Sequence, residues 1–84
     1  DPMMQNKIEV PGSVLDEARE ALKARRRVFV LRSGDEFKVA ASRRLPRGWT
    51  LVSELRDYDF YTDTERYDNY MAAHGRRPPW WGGK

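Results

Sequence analysis

The chain has 84 residues, which is near the lower end of what folds alone and leaves room for one hydrophobic core. It contains no cysteine, so disulfide frameworks, thiolate zinc sites and cysteine nucleophiles are excluded. The net charge of +3 is small. Because only 39% of the residues are apolar, the three Trp, four Tyr and three Phe have to supply much of the buried apolar surface.

The N-terminus carries no recognisable targeting signal. Asp1-Pro2 ahead of Met3 and Met4 resembles a cloning remnant, so we expect residues 1–5 to be disordered and the native start to be one of the two methionines. The longest apolar run, Val28–Leu31, is too short to span a bilayer. We therefore expect a cytoplasmic protein that makes no membrane contact.

A short strand and a helix are predicted first. Lys7–Val10 alternates polar and apolar residues, which is typical of a half-buried strand, and Pro11-Gly12 ends it. Ser13 is a suitable N-cap, and an apolar stripe of helical period follows without a helix breaker. This pattern predicts a helix over Val14–Arg26.

A β-hairpin and one further strand are predicted after this helix. Arg27–Arg32 is rich in β-branched and aromatic residues, Ser33-Gly34-Asp35 supplies turn chemistry, and Glu36–Val39 alternates again. Leu45-Pro46-Arg47-Gly48 predicts a tight turn with proline at the second position. A strand over Trp49–Leu55 would then extend the hairpin into a meander.

A second helix and a tail complete the chain. Thr62 and Glu65 form a capping box, and apolar residues at helical spacing continue to Gly75. Residues 76–84 contain two Pro, two Trp and two Gly, so they predict an extended tail. The fold class is therefore α+β, with an antiparallel sheet of three to four strands, two helices in the order β-α-β-β-β-α, and a single domain over residues 6–75.

Catalysis is not indicated. The only imidazole is that of His74, which we place beside Tyr70 at the edge of the core rather than in a catalytic site. Carboxylates cluster from Glu54 to Asp68, but they lack the glycine and the closing bidentate acid of a calcium loop. We expect no enzyme activity, no metal and no cofactor.

The distribution of charge favours a binding function. Arg19–Arg56 holds eleven basic and four acidic residues, whereas Asp57–Asp68 holds five acidic residues and one arginine. Arginines bind phosphate backbones, and a nearby aromatic ring can stack on a base. The order of helix, three antiparallel strands and helix is also similar to that of double-stranded RNA-binding domains, although their basic helix start is absent here. The predicted nucleic-acid-binding residues are Arg25, Arg26, Arg27, Arg43, Arg44, Arg47 and Trp49.

A protein-binding regulator or inhibitor is the alternative. Aromatic residues interleave with the acids, and two tryptophans follow two prolines in the tail, which is a composition that protein interfaces favour. The same rings could instead complete a small core. An exposed edge strand and paired tryptophans are also features of homodimers. The predicted partner-binding residues are Tyr58, Tyr61, Arg76, Arg77, Trp80 and Trp81.

Overall fold

The computed structural model describes residues 9–82 and has the predicted α+β class and, from the first helix onward, the predicted order of helices and strands. Its elements are helix α1 (Gly12–Ala21), strands β1 (Arg27–Ser33), β2 (Glu36–Ala40) and β3 (Thr50–Arg56), a 3₁₀ helix (Asp57–Asp59) and helix α2 (Asp63–His74). Neither α-helix within this range has the length and apolar character that a membrane crossing needs.

The predicted N-terminal features are only partly covered by the structure. Residues 1–5 and the first half of the predicted first strand, Lys7 and Ile8, lie outside the described residues. Glu9 and Val10 are described and belong to no strand. The sheet within residues 9–82 therefore has three strands.

Helix α1 begins and ends earlier than predicted. The carbonyl oxygen of Pro11 accepts the first hydrogen bonds of the helix, so Ser13 lies inside the first turn and does not cap it. At the other end, Leu22 is the C-cap residue and is buried against Val28. Because a helix rises about 1.5 Å per residue, continuing it to Arg26 would carry the chain about 6 Å past this contact.

The β-hairpin is confirmed. Strands β1 and β2 pair antiparallel from Phe29 opposite Ala40 to Ser33 opposite Glu36, and two residues connect them. Gly34 in this turn has a φ of +59°, a conformation that glycine adopts without steric cost. The local turn chemistry was therefore sufficient to set the register of this pair.

The predicted meander is wrong, because β3 pairs with β1 and not with β2. The strand order is β2-β1-β3, and both pairs are antiparallel. The middle position goes to the strand with the most buried residues, Val28–Leu31. A central strand is covered on both faces and both edges, which suits a continuous apolar run.

The connection between β2 and β3 covers the outer face of the sheet. Because these strands run in the same direction on opposite sides of β1, residues 41–49 have to cross it. They cross on the face of Phe29 and Leu31, since the guanidinium carbon of Arg43 lies 5.6 Å from the centre of the Phe29 ring. Phe29 and Leu31 are both buried on this face, and Arg43 of the connection covers part of the Phe29 ring.

A tight turn ends this connection, one residue later than predicted. The amide of Trp49 donates a hydrogen bond to the carbonyl oxygen of Pro46 over 3.0 Å, so proline takes the first position of the turn and not the second. Gly48 occupies the third position with a φ of +87°. This is the position at which a type II turn requires a positive φ, which explains the glycine.

The opposite face of the sheet packs against α1. Ala18 and Leu22 of the helix are buried with Val28 of β1, and half-buried side chains from β2, β3 and the segment before α2 surround them. Those surrounding side chains include Val39, Leu55, Phe60 and Tyr61. The main core therefore lies between α1 and the sheet.

Helix α2 is bounded as predicted, and the tail turns back onto it. The Thr62 hydroxyl and the Glu65 carboxylate form the reciprocal capping box, and Gly75 ends the helix with a φ of +72°. Beyond it, Pro78 is buried and its carbonyl oxygen accepts a hydrogen bond from the amide of Trp81. The described part of the tail is thus a turn packed on the domain, and not a segment that extends away from it.

Candidate nucleic-acid interface

Three arginine side chains converge on the carboxylate of Glu54 on the outer face of the sheet. The nearest nitrogen–oxygen distances are 2.7 Å for Arg56, 2.9 Å for Arg43 and 3.4 Å for Arg27. Arg27 and Arg56 are direct cross-strand partners, and like charges in such positions repel each other. Glu54 offsets this repulsion, but one negative charge against three positive charges leaves a surplus of two.

The environment of Glu54 keeps it ionised. Burial of the carboxyl group alone would raise its pKa. The hydrogen bond from Arg43 and the positive charges of Arg56 and Arg27 outweigh that effect and hold the pKa of Glu54 below its ordinary value. The carboxylate therefore anchors the three guanidinium groups throughout the neutral pH range.

Two adjoining grooves run past these arginines, and we call them together the basic cleft. Arg27 lines both of them. The first groove has a volume of about 270 Å³ and is lined by Arg26, Arg27, Arg56, Asp57 and Tyr58. The second has a volume of about 370 Å³ and is lined by Arg27, Phe29, Ala41, Ser42 and Arg43.

The arginines of the basic cleft keep hydrogen-bond donors for a ligand. The Glu54 side chain is only 18% exposed, whereas the side chains of its three arginine partners are between 42% and 68% exposed. A guanidinium carries several N–H donors in a planar fork, and one carboxylate cannot accept from all the donors of three such groups. Donors therefore remain for a ligand, and guanidinium groups bind phosphate oxygens through such planar pairs of donors.

The structure brings together some of the predicted nucleic-acid-binding residues. Arg26, Arg27 and Arg43 lie in the basic cleft. Arg25 lies beside Arg26 at a cavity of about 40 Å³ between the end of α1 and α2, which is about the space of a water molecule or two. Arg25 and Arg26 are exposed and have no carboxylate within 4 Å among residues 9–82.

The other predicted residues of this set lie on the connection between β2 and β3. Arg44 and Arg47 are exposed, and within the described range neither makes an ion pair. Trp49 is half-buried, and the ammonium nitrogen of Lys38 lies 4.7 Å from the centre of its ring. Lys38 thus stacks on the ring that we predicted as a platform for a base.

Arg56 and Tyr58 lie in the basic cleft although neither was predicted as nucleic-acid-binding. Arg56 meets Arg27 only because β3 pairs with β1, and the predicted meander would have placed it elsewhere. Tyr58 was predicted as a partner-binding residue, but it lies at the groove lined by arginines. The one sequence signal for both was their position within three residues of the end of a predicted strand.

Much of the predicted partner-binding set takes part in packing within the domain. The Tyr61 hydroxyl donates a hydrogen bond to the carbonyl oxygen of Arg19 over 2.7 Å, and its ring borders the core. The Trp80 ring lies 4.2 Å from the guanidinium carbon of Arg66, and the Trp81 ring lies 4.5 Å from that of Tyr67. The exposed members are Tyr58, Arg76, Arg77 and part of Trp81.

Several acidic residues of the segment from Glu54 to Asp68 have backbone or arginine partners. Asp57 and Asp63 both pair with Arg66, and Asp59 accepts a hydrogen bond from the amide of Arg56. Within residues 9–82, no three His, Cys, Asp or Glu side chains are grouped to hold a metal ion. His74 is exposed, and its ring lies 4.2 Å from the Tyr70 ring.

Comparison of the chain with known protein families gave no match. Neither curated proteins nor solved structures matched it. The similarity in element order to double-stranded RNA-binding domains therefore has no support from a structural match. The chemistry of the basic cleft is the basis for a functional assignment.

Proposed function

We propose that this protein is a non-enzymatic nucleic-acid-binding module that contacts backbone phosphates through the basic cleft. The observation that carries this proposal is the convergence of Arg27, Arg43 and Arg56 on the single carboxylate of Glu54. That arrangement fixes three guanidinium groups in place and leaves their local charge positive. Phosphate is the ligand that a fixed, positively charged set of planar donors fits best.

The arrangement of the arginines in the basic cleft favours an extended polyanion, and not a small anion, as the ligand. Arg26 and Arg43 lie in different grooves that share Arg27, so donors follow one another along the surface. Exposed Arg44 continues the positive charge onto the connection between β2 and β3. A nucleic-acid backbone presents phosphates at regular intervals and would contact several of these donors at once. A cytoplasmic site of action, expected from the absence of cysteine, belongs to the same proposal.

Fluorescence anisotropy with labelled RNA and DNA at low and rising salt tests the proposal. The double variant Arg26→Ala, Arg43→Ala should weaken binding, and the slope of log K against log salt should become shallower by about one for every phosphate that is no longer neutralised. The double variant Arg76→Ala, Arg77→Ala removes the same charge from the exposed tail and is the matched control. Absence of binding to either nucleic acid at low salt, or an equal reduction in affinity in both variants, would refute it.

A protein partner is the second candidate, and one observation favours it. A groove of about 360 Å³ is lined by Asp63, Trp80, Trp81 and Gly82 at the packed tail. Trp81 is among the most exposed large apolar residues of the described chain, and aromatic side chains are enriched at protein interfaces. Affinity capture with and without nuclease treatment separates the two candidates. A protein that stays bound after nuclease treatment, and that the Trp81→Ala variant no longer captures, would favour the protein partner.

A further inference from the structure

Tyr58 is the most exposed large apolar side chain in the described part of the chain. Its side chain is 59% exposed, and it lies at the groove that Arg26, Arg27 and Arg56 line. Burial of an aromatic ring stabilises a small domain, and an exposed ring does not contribute that stabilisation. The ring is therefore placed where a ligand could cover it.

The backbone that carries Tyr58 is firmly held. The amide of Asp57 donates a hydrogen bond to the carbonyl oxygen of Arg26 over 2.9 Å, which joins the 3₁₀ helix to the segment before β1. The Asp59 carboxylate accepts a hydrogen bond from the amide of Arg56 over 3.0 Å, and the Asp57 carbonyl oxygen accepts from the two amides that follow the 3₁₀ helix. These hydrogen bonds hold the backbone of Tyr58 beside the groove.

The surroundings of the ring combine charge with a flat apolar surface. The guanidinium carbon of Arg66 lies 5.9 Å from the centre of the Tyr58 ring. Three arginines and one acid, Arg26, Arg27, Arg56 and Asp57, line the groove beside it. An aromatic ring next to arginines can bind both the base and the phosphate of one nucleotide. The ring stacks on the base while the arginines contact the phosphate. A duplex keeps both faces of each internal base stacked on its neighbours, so only an unpaired base can reach such a ring.

We propose that Tyr58 stacks on an unpaired base and that the ligand of the basic cleft is single-stranded nucleic acid. This inference rests on the proposed function, because it assigns the ligand class of the same site. The phosphate contacts of the arginines supply affinity for any strand. The Tyr58 ring adds affinity only where a base is free to stack.

The test compares single-stranded and duplex oligonucleotides of the same sequence, as RNA and as DNA, by anisotropy. Wild-type protein should bind the single strand more tightly, and Tyr58→Ala should lower that affinity about tenfold without changing the salt slope, because no charge is removed. Tyr58→Phe should retain the affinity, since the ring and not the hydroxyl makes the contact. Leu51→Ala removes an exposed apolar side chain outside the basic cleft and is the matched control. The RNA and DNA arms decide which strand the site prefers.

The failures of the two proposals are distinguishable. If Tyr58→Ala binds the single strand as the wild type does while Arg26→Ala, Arg43→Ala weakens it, the stacking inference is wrong and the proposed function stands. Duplex binding as tight as single-strand binding also overturns the stacking inference. Absence of binding by the wild type overturns the proposed function itself. Circular dichroism of each variant confirms that the fold is retained.

Discussion

The side-chain nitrogen Nε of Arg66 lies 3.2 Å from the Oδ2 oxygen of Asp57, and the two side chains are only 11% and 12% exposed. This pair joins α2 to the 3₁₀ helix that carries Tyr58. The Trp80 ring covers the same guanidinium, so the tail is held by the same contact. One arginine thus connects three segments beside the basic cleft.

Replacement of Arg66 by alanine is expected to lower the free energy of unfolding by about 3 kcal/mol, because it leaves the nearly buried Asp57 carboxylate without its ion-pair partner. Arg66→Lys should recover only part of that stability, since an ammonium lacks the planar surface on which Trp80 stacks. Urea unfolding measures both values. Arg77→Ala, an equal charge change at an exposed site, should have little effect, and a comparable destabilisation there would contradict this explanation.

The pKa of Glu54 predicts a pH-dependent contribution to stability. Because the folded-state pKa lies below the ordinary value of 4.5, the ionised carboxylate stabilises the fold above about pH 4.5 and this contribution is lost as the pH falls through the folded-state pKa. The difference in unfolding free energy between the wild type and Glu54→Gln should therefore shrink as the pH falls below about 4.5. Glu36→Gln, at an exposed β2 position without an ion pair in residues 9–82, is the control. If the difference in unfolding free energy between the wild type and Glu54→Gln does not change with pH, the result contradicts a stabilising ion-pair cluster around Glu54.

Glu54→Gln should also bind nucleic acid more tightly than the wild type at low salt. The substitution removes the one carboxylate that faces three arginines, so the local surplus rises from two positive charges to three. The gain should diminish at high salt because added ions screen the interaction. Anisotropy titrations at neutral pH measure it. Weaker binding in a folded variant would mean that Glu54 acts mainly by positioning the arginines.

The crossing of residues 41–49 over the sheet predicts that two paired leucines contribute very differently to the free energy of unfolding. Leu31 of the central strand β1 is 0% exposed, whereas its β3 partner Leu51 is 42% exposed. Leu31→Ala is expected to cost about 3 kcal/mol, and Leu51→Ala less than about 1 kcal/mol. Chemical denaturation of the two variants provides the comparison. Similar destabilisation by both would show that the connection does not cover this face.

The turn at Gly48 predicts that replacing Gly48 by alanine changes the stability of the protein differently from the same replacement at Gly12. Its φ of +87° is strained for any residue with a Cβ, so Gly48→Ala should destabilise the protein by about 1 kcal/mol or more. Gly12 in the first turn of α1 has open space around it and no positive φ, so Gly12→Ala should be neutral or stabilising. Thermal unfolding of both variants measures the difference. Destabilisation by both would point to a cause other than backbone conformation.

Features set by neighbouring residues could be predicted from the sequence. The hairpin at Gly34, the capping box of Thr62 and Glu65, and the end of α2 at Gly75 all follow from side-chain chemistry within a few residues. The arginine-rich character of the basic cleft was likewise visible in the composition. These features form the same way in most tertiary contexts, because their hydrogen bonds and φ angles are local.

The tertiary structure alone decided which distant residues meet. The sequence determined that β1 is the most apolar strand, but not that β3 would pair with it and bring Arg56 opposite Arg27. It indicated a basic loop, but not that the loop crosses the sheet and brings Arg43 to Glu54. The physical reason is that strand pairing between segments far apart is chosen by how the whole chain buries its apolar faces, and no short stretch of sequence contains that information.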